Sequence, residues 1–161
     1  KVTAAYTYGG HGEAMAVFAS KTLIDGTPLA EKNLSAERWA EIKHATVQGG
    51  SAIIKLRGRS SFQSPAYNAV KMIEAAMGGT EFTWPAGCYV NCDECGFKNV
   101  MMAMPTVIDA TGVHFTKPEG TPEEMAELQA SYEHLCKMRD EIVSLGIVPP
   151  VDEWKKSNPN L

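Results

Sequence analysis

Residues 121–146 read TPEEMAELQASYEHLCKMRDEIVSLG, the most regular stretch of this sequence. An N-cap, an N1 proline and a capping-box glutamate open it, at Thr121, Pro122 and Glu124. Apolar residues then recur every three or four positions, at Met125, Leu128, Tyr132, Leu135, Met138, Ile142 and Leu145. Gly146 ends the pattern. The stretch therefore predicts one amphipathic helix of about 24 residues, roughly 36 Å long.

The N-terminal segment and the region before this helix have strand patterns. Residues 2–8 alternate, which favours a strand with Val2, Ala4, Tyr6 and Tyr8 on one face. The apolar pattern of residues 14–22 predicts a second strand, and the DGTP sequence at 25–28 predicts a turn. Residues 83–115 indicate an antiparallel meander with short turns.

Helical patterns fill the region between these strands. Ser35 is a predicted N-cap, and the apolar periodicity that follows is interrupted at Gly49-Gly50 and ends at Gly58, giving one kinked helix or two short ones. Pro65 suits the first turn of a further helix. Its predicted buried stripe comprises Ala66, Ala69, Val70, Ile73 and Met77. We therefore expect an α+β domain over residues 1–150, followed by a loose polar tail at 151–161.

Composition restricts the classes of function. The 161 residues carry a net charge of −4, which disfavours a nucleic-acid surface. No apolar run approaches the roughly 18–20 residues of a membrane span, and no secretory signal pattern opens the chain. The first residue is Lys1, which fits an excised piece of a longer protein, Met removal or tag cleavage. Four cysteines in a domain able to form an apolar core favour a reducing, cytoplasmic setting.

One histidine lies between two glycine-bearing bends close to the start of the chain, in YTYGGHGEAM at residues 6–15. The imidazole of His11 can exchange protons near neutral pH, and a glycine-rich bend lets the backbone approach a ligand closely. By spacing alone, a structural histidine is the commoner outcome. The residue types permit acid–base chemistry without identifying it.

Three blocks of the sequence resemble the lactate/malate dehydrogenase family. GGHGEAM followed by DGTPL is similar to the family's GGHGD-T-M…GIPL. GGSAIIKLRGRSSFQSPAYNAVKMIEA is similar to its GGAEIVKLRGKGSAFYAPAASAIEMAEA, and MAMPTVIDATGV to its VGVPTVIGAGGV. The resemblance covers about residues 1–116 in the family's order, and the helix at 122–145 takes the place of the family's C-terminal helix. It favours the malate dehydrogenase branch and the C-terminal, substrate-binding half.

The resemblance implies specific roles. His11 falls on the family's proton donor and acceptor, which takes the hydroxyl proton of malate while hydride passes to NAD⁺. Glu13 stands where many members have Asp, and we assign it no catalytic step. Ser60 and Ser61 lie in the block that lines the substrate pocket, where hydroxyls could bind the substrate or order water. A solvated loop or an N-cap explains both serines equally well.

The same family places an Asp-x-x-Arg motif and a Gly-x-Gly-x-x-Gly loop upstream of the histidine. Neither precedes His11 here. We therefore expect the N-terminal Rossmann domain to be absent from this chain, and the chain alone to be inactive. The partners implied are that domain, a small 2-hydroxy or 2-keto dicarboxylate, and further copies in a homo-oligomer. Lactate or another 2-hydroxy acid, and NADP in place of NAD, stay open.

The cysteines offer an alternative of another class. Cys92-x-x-Cys95, with Cys88 upstream, is compatible with a stand-alone zinc-binding or redox module. Asp93, Cys136 or His114 could supply a fourth ligand. A second CxxC motif is lacking, so we treat this as the secondary hypothesis.

Overall fold

Helix α4 (Pro122–Ser144) and a four-stranded antiparallel sheet form the centre of the protein in the computed structural model, which describes residues 1–159. The strands are β1 (Val2–Thr3), β2 (Tyr6–Gly9), β3 (Met15–Phe18), β4 (Leu23–Ile24), β5 (Thr27–Pro28), β6 (Ala86–Cys92), β7 (Phe97–Met104), β8 (Thr106–Asp109) and β9 (Gly112–Phe115). The other helices are α1 (Ala36–Val47), α2 (Gly49–Arg57), α3 (Gln63–Ala76) and α5 (Trp154–Ser157). Single 3₁₀ turns lie at Gly12–Ala14, Leu29–Lys32 and Val151–Glu153.

The main core lies between α4 and this sheet, whose strand order is β3-β2-β7-β6. Leu128 of α4 and Met104 of β7 are completely buried there. Tyr8, Phe18, Val90, Phe97, Val100 and Met102 complete most of the cluster. A second sheet has the order β1-β4-β5, and β8 and β9 form a separate hairpin. The α+β class is confirmed. The strands predicted at 83–115 are antiparallel, but they form two separate hairpins, β6–β7 and β8–β9, instead of one meander.

Helix α4 begins as its sequence predicts. The Thr121 hydroxyl accepts a hydrogen bond from the Glu124 amide, and the Glu124 carboxylate accepts one from the Thr121 amide, at 3.3 and 2.9 Å. The helix ends at Ser144, one residue before the predicted end. Its apolar stripe packs on the sheet only from Met125 to Leu135. Met138, Ile142 and Leu145, further along the helix, are exposed.

The N-terminal segment differs from the predicted single strand. Ala4 has a φ of 55°, which breaks the strand between β1 and β2. As a result β1 pairs with β4, while β2 pairs with β3 and β7. The hairpin predicted around His11 is present, formed by β2 and β3.

Helix α3 turns its predicted buried stripe outward. Val70, Ile73 and Met77 are 62%, 58% and 83% exposed. The inward side instead carries Ala75, with Met72 beside it, against a small cluster of Phe82, Ala86 and Ile108. The prediction of this buried stripe was therefore wrong. The helix begins at Gln63, so Pro65 lies in its first turn, as predicted.

The remaining helices bear on two further expectations. The Ser35 hydroxyl caps α1 by accepting from the Arg38 amide at 3.2 Å, and α1 and α2 are separate helices that meet at Gln48. Residues 151–157 are helical instead of loose, because the Trp154 indole donates to the Pro149 carbonyl and lies 6.2 Å from the Tyr89 ring. The end of the tail, residues 160–161, falls outside the described residues. No helix within residues 1–159 is long and apolar enough to cross a membrane.

Candidate functional site

His11 lies at the bend between β2 and β3, where it is the N-cap of the Gly12–Ala14 turn. Its backbone is extended, with φ −102° and ψ 149°. The side chain is exposed, and within residues 1–159 the imidazole has no hydrogen-bond or ion-pair partner. The ring is therefore available to a molecule that enters from outside this chain.

The imidazole faces an open groove of about 680 Å³ between the His11 bend, α1 and α4. Lys43 of α1 and Glu127 of α4 form an ion pair that joins the two helices at this groove. Glu13 and His134 also line it. The groove thus combines imidazole, ammonium and carboxylate groups, a polar setting suited to a charged small molecule.

Glu13, which the resemblance placed near the histidine, has a partner of its own. Its carboxylate accepts a hydrogen bond of 3.2 Å from the Gln48 side-chain amide, at the junction of α1 and α2. It therefore ties the His11 bend to the helices and does not orient the imidazole.

Ser60 and Ser61 lie in the segment between α2 and α3 and do not line the His11 groove. Ser60 is exposed and Ser61 half-buried, and neither hydroxyl has a hydrogen-bond partner within residues 1–159. The N-cap position of α3 belongs to Phe62, and no side chain caps the helix there. The N-cap explanation of these serines is therefore wrong, and the structure does not group them with His11.

The cysteines do not form a metal site. Cys92 and Cys95 are joined in a disulfide, with their Cα atoms 5.3 Å apart. Cys88 is buried against the Thr106 hydroxyl at 3.2 Å, where burial raises the pKa of its thiol. Four residues along a strand separate Cys88 from Cys92 by about 13 Å. Within residues 1–159 no three His, Cys, Asp or Glu side chains are placed to hold a metal ion, so the zinc hypothesis is wrong there. The redox alternative stays a prediction, with Cys92 and Cys95 as its disulfide pair.

Sequence reasoning missed Ser131. This α4 residue is 4% exposed, and its hydroxyl contacts the backbone on both sides of His11. Two signals could have pointed to it: a small polar residue beside the apolar stripe at Leu128 and Tyr132, and a Gly9-Gly10 pair that permits close approach by another element.

Comparison with known proteins gives consistent matches. The family described as lactate/malate dehydrogenase, alpha/beta C-terminal domain, matches residues 1–145. Malate dehydrogenase of Pelagibacter ubique is 35% identical over 114 residues, which cover 68% of this chain and 35% of that protein. Malate dehydrogenase of Staphylococcus carnosus is 34% identical over 106 residues, which cover 65% of this chain and 33% of that protein.

The solved structure of malate dehydrogenase from Salinibacter ruber superposes with a TM-score of 0.76 at 27% identity. That match covers 88% of this chain and 46% of the solved one. The chain spans about a third of the length of the two relatives by sequence.

Proposed function

This chain belongs to the lactate/malate dehydrogenase family, as an alpha/beta C-terminal domain, and we therefore propose that it is the catalytic half of an NAD-dependent malate dehydrogenase. The reaction would interconvert malate and oxaloacetate. The observation that carries the proposal is the exposed His11 imidazole, which has no partner within residues 1–159 and lies at an open groove that Lys43 and Glu127 also line. Both relatives named above are malate dehydrogenases, which supports malate as the substrate here in preference to other 2-hydroxy acids.

His11 handles the proton in this proposal. In the direction of malate oxidation, the imidazole accepts the proton of the C2 hydroxyl as the O–H electron pair forms the carbonyl. In the reverse direction, the imidazolium returns that proton to the oxaloacetate carbonyl oxygen. The hydride on the same carbon would be exchanged with NAD, which the described residues of this chain do not hold.

The described residues do not fit a dinucleotide site. Every strand pair within residues 1–159 is antiparallel. A dinucleotide-binding fold instead has a parallel sheet and holds the pyrophosphate at the N-terminus of a helix that follows one of its strands. We therefore assign NAD to an N-terminal Rossmann domain of the same protein. The orienting carboxylate for His11 and the arginine that binds the substrate carboxylate belong to that domain in this proposal.

The domain proposed here spans residues 1–150, with 151–161 as its tail. Ser60 and Ser61 remain candidate substrate-binding residues, because their hydroxyls are without partners within residues 1–159. In this proposal they meet the substrate, or a water bound to it, when the N-terminal domain is in place. The cytoplasmic setting stays a prediction.

The outward side of α3, formed by Val70, Ile73 and Met77 and called the outer α3 face below, supports the proposed partners. Three large apolar side chains at least half exposed on one helix are typical of a surface that another body covers. In the complete protein we assign this cover to the N-terminal domain or a second subunit.

Without that cover, the isolated chain should self-associate through the outer α3 face. Ile73→Lys should raise the dissociation constant of the self-associated form at least about tenfold, because burying an isoleucine contributes roughly 1.5–3 kcal/mol. Ile147→Lys, at a similarly exposed site after α4, is the matched control and should change it little. Sedimentation velocity over a concentration series measures both. A wild-type chain that stays monomeric at high concentration contradicts the expectation.

The proposed activity is tested on the complete protein encoded by the reading frame that contains this chain. Absorbance at the NADH band should show NAD-dependent oxidation of malate, and little oxidation of lactate. The 161-residue chain alone should show none, because residues 1–159 do not fit a dinucleotide site. Activity on lactate but not malate would make lactate the substrate. Activity of the isolated chain would contradict the assignment of NAD binding to an N-terminal domain.

A further inference from the structure

We propose that Ser131 is the positioning residue of His11, holding the bend that carries the imidazole from both ends. The catalytic meaning of this role rests on the function proposed above, whereas the structural role does not. Ser131 lies on α4, more than a hundred residues from the bend it contacts.

The hydroxyl of Ser131 uses both of its hydrogen-bonding capacities on this bend. It accepts a hydrogen bond from the Gly10 amide at 2.8 Å and donates one to the Ala14 carbonyl. Gly10 immediately precedes His11, and Ala14 ends the turn that follows it. The two contacts therefore fix the backbone on either side of the imidazole.

The glycine pair before His11 makes this approach possible. Gly9 has a φ of +82°, and a Cβ built on it would lie 2.2 Å from the Ser131 hydroxyl oxygen. On Gly10 it would lie 2.9 Å from the Ala14 Cβ. A side chain at Gly9 would push the bend away from α4, and one at Gly10 would collide with Ala14 within the bend, so both glycines are needed for the contact with Ser131.

A purely structural role explains Ser131 less well. A buried hydroxyl contributes to stability only when hydrogen-bonded, and an apolar residue would serve the neighbouring core around Leu128 equally well. Because the His11 ring has no partner within residues 1–159, its location depends on its own backbone. The Glu13–Gln48 hydrogen bond restrains the bend from the α1–α2 side, and Ser131 restrains it from α4.

The test compares Ser131→Ala with Thr106→Val, which removes an equally buried hydroxyl that bonds the Met104 carbonyl, away from the bend. NMR of the 161-residue chain should show amide hydrogen exchange at Gly10 at least about tenfold faster in Ser131→Ala. The His11 ring resonances should shift as well. Thr106→Val should change neither. Ser131→Cys, close in size but a weak hydrogen-bond donor, carries the same expectation if Ser131→Ala does not fold.

In the complete dehydrogenase, Ser131→Ala should lower kcat for malate roughly 10- to 100-fold with little change in KM, because a displacement of about 1 Å has effects of that size. If Gly10 exchange and the His11 resonances in Ser131→Ala match those in Thr106→Val, the structural role of Ser131 is overturned. An unchanged kcat in an active enzyme would overturn the positioning role. If the wild-type protein does not oxidise malate while the Gly10 effect is present, the proposed function fails and the contact between Ser131 and the bend stands.

Discussion

His11→Asn should lower kcat for malate oxidation by the complete dehydrogenase roughly 10²- to 10⁴-fold, the usual contribution of a general acid–base group. Asparagine keeps a polar side chain at the bend but cannot accept the hydroxyl proton and return it. Because His11 is exposed and has no partner within residues 1–159, the fold should tolerate the change. Steady-state kinetics with malate and NAD, together with a thermal unfolding curve, separate the loss of chemistry from loss of structure.

His44→Asn is the matched control, since His44 is an exposed histidine on α1 outside the His11 groove. It should leave kcat close to the wild-type value. Wild-type turnover in His11→Asn, or an equal loss in both variants, would refute the role assigned to His11.

Glu124→Gln should lower the free energy of unfolding by about 2–4 kcal/mol, because it removes the charge from a carboxylate that accepts four hydrogen bonds. One oxygen accepts from the amides of Ala19 and Ser20 at 2.7 and 2.8 Å. The other accepts from the Ser20 hydroxyl at 2.6 Å and the Thr121 amide at 2.9 Å. This side chain links the segment after β3 to the first turn of α4. Urea unfolding at pH 7 measures the effect.

The same carboxylate predicts a dependence on pH. Burial tends to raise the pKa of Glu124, but hydrogen bonds from Ser20, Thr121 and Ala19 outweigh burial, and the net pKa is below its ordinary value of 4.5. A folded-state pKa below the unfolded one means that the stabilisation is fully present above about pH 4.5 and is lost as the pH falls through the folded pKa. The stability difference between wild type and Glu124→Gln should therefore shrink in acid.

Glu123→Gln provides the control for Glu124, because it changes a carboxylate in the same helical turn that does not reach Ala19 or Ser20. Its effect on the free energy of unfolding should be much smaller than that of Glu124→Gln, because Glu123 is fully exposed at the helix N-terminus. Equal losses in the two variants, or a Glu124 effect that persists at pH 2, would contradict the assignment.

The parts of the fold that were predictable depend on local side-chain chemistry. Thr121 and Glu124 cap α4 through bonds within three residues, and the predicted helix end is one residue from the observed one. The error at α3 has a different cause. Apolar periodicity shows that Val70, Ile73 and Met77 share a face, but it does not say whether their partner lies within the same chain. The break at Ala4 was equally hidden, since alanine has no preference for a positive φ.

The candidate site likewise has one part that the sequence predicts and one part that it does not. Residues adjacent in sequence, Gly10, His11 and Gly12, form a recognisable pattern, and the resemblance to a family gave His11 its proposed role. Ser131 meets this bend only after the chain has folded, through contacts that span 121 and 117 residues. A serine beside the apolar stripe of an amphipathic helix can be recognised locally, but its local sequence does not identify the distant segment that it will contact.

The long-range contacts of Ser131 affect when the His11 bend can fold during synthesis. The helix that restrains the His11 bend is made some 121 residues after it. At about 5–20 residues per second, this interval is about 6–24 s. The β2–β3 hairpin is a marginal structure by itself during that time. His11 should therefore reach its native geometry only after α4 has been made, and it should lose that geometry when α4 detaches.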